Sequence, residues 1–196
     1  MRIISDINQV TGSHKRSNDF NHRKLVCLGH SVYYYPLPFG DYIEMTPEII
    51  HKLTVIGASK KNVQKKDFDG LIRVAVDRKN SISEACGNIC SNTHEHERFR
   101  NECIKAQEAG ARFYVLIEDD HTKSVEDVFK WNNPRRLVWL RQKGPKPKVG
   151  PASGPTLAKA MLTMEKKYGV KFVFCRKAQA AETIVKLLEG GADGIL

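Results

Sequence analysis

The chain has 196 residues, 41% of them hydrophobic, enough for one domain with a real core and too short for two ordinary ones. Lysine and arginine total 32 against 22 aspartate and glutamate, a formal charge of +10 that favours a polyanionic partner such as nucleic acid. A mean hydropathy of −0.43 with no apolar run of about 18 residues excludes a transmembrane helix, and the polar start MRIISDINQVTGSHKR lacks a signal-peptide core, so the cytoplasm is the expected location.

In chain order, Met1 to Ile7 reads as a short strand, and residues 14 to 29 as a polar, basic loop followed by part of a helix. Ser31 to Leu37 is aromatic and extended; Phe39-Gly40-Asp41-Tyr42 turns the chain, and Tyr42 to Met45 continues as a second strand of a hairpin. Residues 57 to 70, GASKKNVQKKDFDG, carry four lysines between two glycines and read as an exposed basic loop joining a hairpin. Leu71 to Lys79 is the clearest strand. It passes almost directly into a helix over 82 to 90, where Ser81 with Glu84 three residues on resembles a capping box. A second helix covers Glu95 to Ala109 and stops at Gly110; Arg112 to Ile117 is a buried strand ending at Glu118-Asp119-Asp120. From Val128 to Met164 there is no acidic residue but eight basic ones, with a second flexible loop over about 141 to 155. Thr156 is expected to cap a helix to Tyr168, followed by a strand over Val170 to Cys175 and a closing helix over Ala178 to Glu189. The alternation of strands and helices points to an α/β sheet in a single domain over 1–196.

The five cysteines are odd in number and sit in apolar contexts, the pattern of reduced buried thiols rather than of a disulfide framework. Cys86 and Cys90, followed by His94 and His96, lack the second pair and the spacing of a zinc site. A different chemistry is offered by the strand ends. Alternate side chains of a strand share a face, so Asp77 and Lys79 point one way and Arg78 the other. Asp41, after Gly40 at the turn, can reach Asp77. Two convergent carboxylates bind a hard divalent cation, Mg²⁺ or Mn²⁺, and a lysine beside them can orient or deprotonate an attacking water. This is apparatus for cutting a phosphodiester. Glu118, Asp119 and Asp120 could place a water or second metal but read better as a solvated strand end. Trp131 and Trp139 flank Arg135 and Arg136, a mixture that could stack on unpaired bases, although core burial is the commoner fate of tryptophan.

Gly40-Asp41-Tyr42, then Val76-Asp77-Arg78-Lys79 leading into a helix, resembles the nuclease domain of the XPF family of structure-selective DNA endonucleases, whose signature is Gly-Asp followed by Glu-Arg-Lys. ISEACGNI, ERFRNECIKAQEAGARFYVLIED, WNNPR and LAKAMLTMEKKYGVKFVFC resemble its phage and prophage branch, so the likeness covers most of the chain. It implies a restriction-endonuclease-like α/β core with a central mixed β-sheet flanked by helices. It implies Asp41 and Asp77 as metal ligands, Asp6 as a further acidic contributor and Lys79 as the catalytic lysine. Arg78 is expected to support structure or contact DNA, and Arg98, Lys60, Lys61, Lys65, Lys66, Arg135 and Arg136 to contact nucleic acid. The sequence departs from the signature at Asp77 in place of glutamate, at Ser83 where an acid is expected, with Glu84 one place later, and at Asn8 in place of arginine. The implied activity is metal-dependent hydrolysis of flap or branched DNA, without a helix-hairpin-helix module, with DNA grip supplied by basic loops, a homodimer or a partner protein. The alternatives are a catalytically weak accessory or inhibitor that binds DNA or a host protein, and a Holliday-junction resolvase or nickase on the same core.

Overall fold

The computed structural model describes residues 1–7, 15–57, 59, 62–91, 94–147 and 149–190, with the side chains of the first helix from residue 20 onward. Its centre is a mixed six-stranded sheet in the order β2-β1-β3-β4-β5-β6. The strands are β1 (Arg2–Asp6), β2 (Ser31–Tyr35), β3 (Tyr42–Glu44), β4 (Val74–Lys79), β5 (Arg112–Glu118) and β6 (Lys171–Cys175). β1 runs parallel to β2, β3 lies antiparallel between β1 and β4, and β4, β5 and β6 are parallel.

The period-two alternation of these strands sorts their side chains between two apolar layers. Ile4, Ile43, Ala75, Phe113, Val115, Ile117, Phe172 and Phe174 pack on one face beneath α2 (Pro47–Val55), α3 (Ile82–Cys90), α4 (His94–Glu108) and α7 (Gly154–Tyr168). Ile3, Tyr42, Val74, Val76, Tyr114, Leu116 and Val173 pack on the other face with α1 (Lys15–Cys27) and α8 (Ala180–Leu188). Two short helices, α5 (Val125–Val128) and α6 (Pro134–Arg141), lie between β5 and α7. Covering a largely parallel sheet on both faces is what its near-continuous apolar strands require.

The structure departs from the sequence reading at several elements, and the strand expected from Leu71 begins at Val74. β2 and β3 do not form a hairpin, because β1 is inserted between them. Helix α2 occupies the stretch after β3: Thr46 Oγ1 accepts from Ile49 N, Pro47 sits in the first turn, and Ile49 and Leu53 supply the buried stripe. The basic loop after it is only partly exposed, since Val63 and Phe68 are buried and residues 65 to 68 form a 3-10 turn. Helix α7 is capped by Ser153 rather than Thr156; Ser153 Oγ accepts from Thr156 N, which places Pro155 in the first turn, where its missing N–H costs nothing.

Candidate metal centre

Asp41 reaches the site because β3 pairs with β4. Its main-chain N donates to Val76 O at 2.8 Å, and its carboxylate Oδ2 accepts from Arg78 N at 2.8 Å, so the side chain continues the β3–β4 ladder past the end of β3. Gly40 makes the approach possible. It has φ of +71°, and a Cβ there would stand 3.2 Å from Ala75 Cβ and 3.3 Å from the Phe113 ring, so both the conformation and the space favour glycine.

Asp77 and Lys79 project from the same face of β4, and Lys79 Nζ lies 2.7 Å from Asp77 Oδ2 and 5.0 Å from the centre of the Phe99 ring. All three site residues are buried: Asp41 is 8% exposed, Asp77 3% and Lys79 5%. They are not the solvated strand ends that such a tripeptide usually forms. Burial, followed by repulsion from Asp77, holds the Asp41 carboxyl well above the usual carboxylate range. For Lys79 burial opposes the charge, but the carboxylates of Asp77 and Asp41 outweigh it and keep the ammonium protonated.

These groups line a cleft of about 420 Å³. Asp6, at the end of β1, stands on its lip and accepts from Leu37 N at 3.2 Å through Oδ1. Among the described residues the lining holds six carboxylates (Asp6, Asp41, Asp77, Glu84, Glu95 and Glu102) and four cations (Lys65, Arg78, Lys79 and Arg98). Glu84, one place after position 83 where an acid is expected, lines the cleft, and its Oε2 accepts from Asn80 N at 2.8 Å. Only half of the expected capping box forms, since Ser81 Oγ accepts from Glu84 N while the Glu84 carboxylate takes Asn80 N instead. Glu102, from α4, was not singled out by the sequence. Burial and then the charge of Asp77 push its carboxyl up to about 7. Its signal in the sequence is a glutamate three residues after the buried Phe99, at the edge of the helix's apolar stripe.

Arg78 lines the cleft, but its guanidinium is engaged elsewhere. Its Nε lies 2.5 Å from Glu118 Oε1 on the α1 and α8 side of the sheet, and a second guanidinium nitrogen donates to Asn80 Oδ1 at 2.7 Å. Both charged groups of this pair are buried, so Glu118 is part of a structural ion pair and not a solvated strand end. Asp119 closes the following turn by accepting from His121 N and Thr122 N. Arg98 lines the cleft but pairs with Glu95 at 2.8 Å and lies 3.9 Å from Glu102. Lys65 lines the cleft, and Lys66 lines a hollow adjoining it. Arg135 is exposed and lines neither. Arg136 donates to Pro151 O at 3.0 Å and stands 5.8 Å from the centre of the Trp139 ring. Trp131 and Trp139 are half-buried. Lys60 and Lys61 lie outside the described residues.

The donor set fits a hard divalent cation. Two buried carboxylates face one lysine, and burial, with repulsion from Asp77 second, raises the protonation range of Asp41, so a cation there would relieve the cost of holding both charged. Among the described residues no three His, Cys, Asp or Glu side chains converge as a closed cage. Asp41 and Asp77 would therefore leave most of the coordination shell to water or substrate oxygens, which suits Mg²⁺.

The sequence family described as ERCC4 domain matches residues 12–188. The chain belongs to the ERCC4 domain family. Among solved structures, XPF from Aeropyrum pernix aligns with a TM-score of 0.53 at 17% identity, covering 96% of this chain and 64% of that one. The same protein in complex with DNA aligns with a TM-score of 0.53 at 16% identity, covering 98% and 66%. This ERCC4 domain therefore has the XPF nuclease-domain fold, the restriction-endonuclease-like core that the motifs implied. It spans about two thirds of the length of those structures. Comparison with curated proteins gives no match. No helix among the described residues is long and apolar enough to cross a membrane.

Proposed function

We propose that this ERCC4 domain is a divalent-metal-dependent endodeoxyribonuclease, selective for flap or branched DNA, with Asp41 and Asp77 as ligands of Mg²⁺ or Mn²⁺. One observation carries the reading. In a chain of net charge +10, the buried carboxylates of Asp41, in the turn before β3, and Asp77, on β4, line one cleft with the buried Lys79. A basic surface attracts the polyanion, while an acidic pocket within it selects the cation that lets a phosphodiester enter.

When bound, the metal supplies Lewis-acid polarisation of the phosphate and acidification of a water. Lys79 holds its proton against Asp77 and donates hydrogen bonds, so it orients the attacking water or a phosphate oxygen and offsets developing negative charge. That favours the orienting role over proton abstraction. Arg78 fixes the strand whose main-chain N–H holds Asp41, and Asp6 contributes a further carboxylate at the lip. Lys65, Lys66, Arg98 and Arg135 contact phosphates, as do Lys60 and Lys61, whereas Arg136 serves the packing around Trp139. Grip on DNA beyond these contacts comes from a homodimer or a partner protein. The DNA-bound XPF of Aeropyrum pernix supports DNA as the ligand. The likeness of ISEACGNI, WNNPR and LAKAMLTMEKKYGVKFVFC to the phage and prophage branch supports a phage-encoded enzyme acting in the cytoplasm of a bacterial host.

The test is cleavage of a labelled panel of duplex, single strand, flap, fork and four-way junction with Mg²⁺, Mn²⁺ or EDTA. Metal-dependent incision beside a flap or fork is expected. Symmetric paired cuts on the four-way junction mark a resolvase. A mobility shift without cutting marks the accessory or inhibitor role that Asp77, one methylene shorter than glutamate, keeps in view.

A further inference from the structure

The catalytic cleft does not end at its own rim. A second hollow of about 530 Å³ adjoins it, and Phe39 and Lys65 line both. The volume lies within the range of about 300–1,000 Å³ usual for small-ligand sites. The hollow is formed by the turn before β3, the 3-10 turn before β4 and the C-terminal end of α4, elements that also frame the cleft.

Its chemistry is graded. Lys65 stands where it meets the cleft with Lys66 next to it, Phe39, Phe68 and Ile72 make an apolar floor, and Asp69, Lys105 and Glu108 line it beyond the cleft. The C-terminal end of α4 therefore offers both a donor, Lys105, and an acceptor, Glu108. A cationic entrance, an apolar floor and an end with both a donor and acceptors match, in order, a phosphate, the face of a sugar and base, and the mixed donor and acceptor edge of a base. A base inside a duplex is stacked on both faces and cannot present itself this way; an unpaired one can.

We propose that this hollow seats one unpaired nucleotide of the substrate strand beside the scissile phosphate. The proposal rests on the nuclease reading of the cleft and gives that reading a source of structure selectivity: paired DNA leaves the hollow empty, whereas a strand that departs from a duplex fills it.

The experiment is an abasic scan. Flap oligonucleotides carrying one abasic residue at each of three positions on either side of the cut are bound to the wild-type chain in EDTA, by fluorescence anisotropy. One position is expected to weaken binding on the order of tenfold, the loss of one well-buried base. 2-Aminopurine at that position changes its emission on binding, and Ala109→Trp, which fills the hollow from its exposed rim, removes the change. A flat scan with DNA still bound, or a 2-aminopurine signal unaltered by Ala109→Trp, overturns the seat while leaving the nuclease reading in place. Failure to bind any member of the set overturns both. The scan uses the native chain, so it does not depend on how the variant folds.

Discussion

Asp41 carries a conflict that a cation resolves. It is buried beside Asp77, and its carboxyl is held above its usual range by that burial and that neighbour. Asparagine keeps the acceptor for Arg78 N and removes the charge, so Asp41→Asn is expected to raise the Tm of the metal-free protein; a lower Tm by calorimetry would show that the charge is compensated. Lys79 has the opposite character. Lys79→Met strands Asp77 in the interior and should cost about 3–5 kcal/mol in urea denaturation at neutral pH, with most of the loss recovered when Asp77→Asn is added. Glu102 gives the pH dependence. Its carboxyl is raised from 4.5 to about 7, so the folded chain holds a proton that the unfolded chain releases. The stability this contributes is present below about 4.5 and lost as pH rises to about 7. Metal-free Tm should therefore fall across that window, and Glu102→Gln should flatten the fall; a profile unchanged by the substitution would assign it elsewhere. Asp77 and Lys79 were legible because two-residue alternation alone puts them together. Their burial was not, because it depends on α4 folding over the strand end.

At the level of elements, the turn before β3 is the part that the site tolerates changing least. Gly40→Ala meets Ala75 and Phe113 and forces a side chain into the left-handed region, a backbone cost of about 1–2 kcal/mol before any displacement. The shift falls on Asp41, the next residue. Cleavage should therefore drop further than the Tm alone accounts for, and a drop in Tm with full activity would show that the turn merely stabilises. β4, α3 and α4 were readable from apolar period and from the cap at Ser81. Helix α2 was readable too, since Thr46 followed by Pro47 is a start signal and Ile49 and Leu53 are four apart. Ser153 before Gly154-Pro155 likewise marks the start of α7 better than Thr156 does. What local sequence could not decide is partner choice among strands. Placing β1 between β2 and β3 turns an apparent hairpin into two separate pairings, and only packing across the whole sheet specifies it.

Over the whole molecule, the fold puts its basic residues to different uses. Lys65 and Lys66 lie along the cleft and its neighbouring hollow, while Arg136 is held by Pro151 O and Trp139. Converting Lys65 and Lys66 to glutamine should lower the slope of log K against log salt by about two units on duplex-bearing DNA. Arg136→Gln should alter Tm and leave that slope unchanged; the reverse pattern would move the DNA path to α6. Composition announced a polyanion partner, and it could not say that the fold would bury Arg78 in a pair with Glu118 while leaving Arg98 half-exposed. The claim on which everything else depends is that Asp41 and Asp77 hold a divalent cation that cuts DNA. The most direct test is single-turnover cleavage of one labelled flap in Mn²⁺ or EDTA by the wild-type chain and by Asp41→Asn. The account predicts cutting in Mn²⁺ only, reduced on the order of 100-fold or more by the substitution while flap affinity is retained. Equal cutting by the two proteins, or undiminished cutting in EDTA, would contradict it.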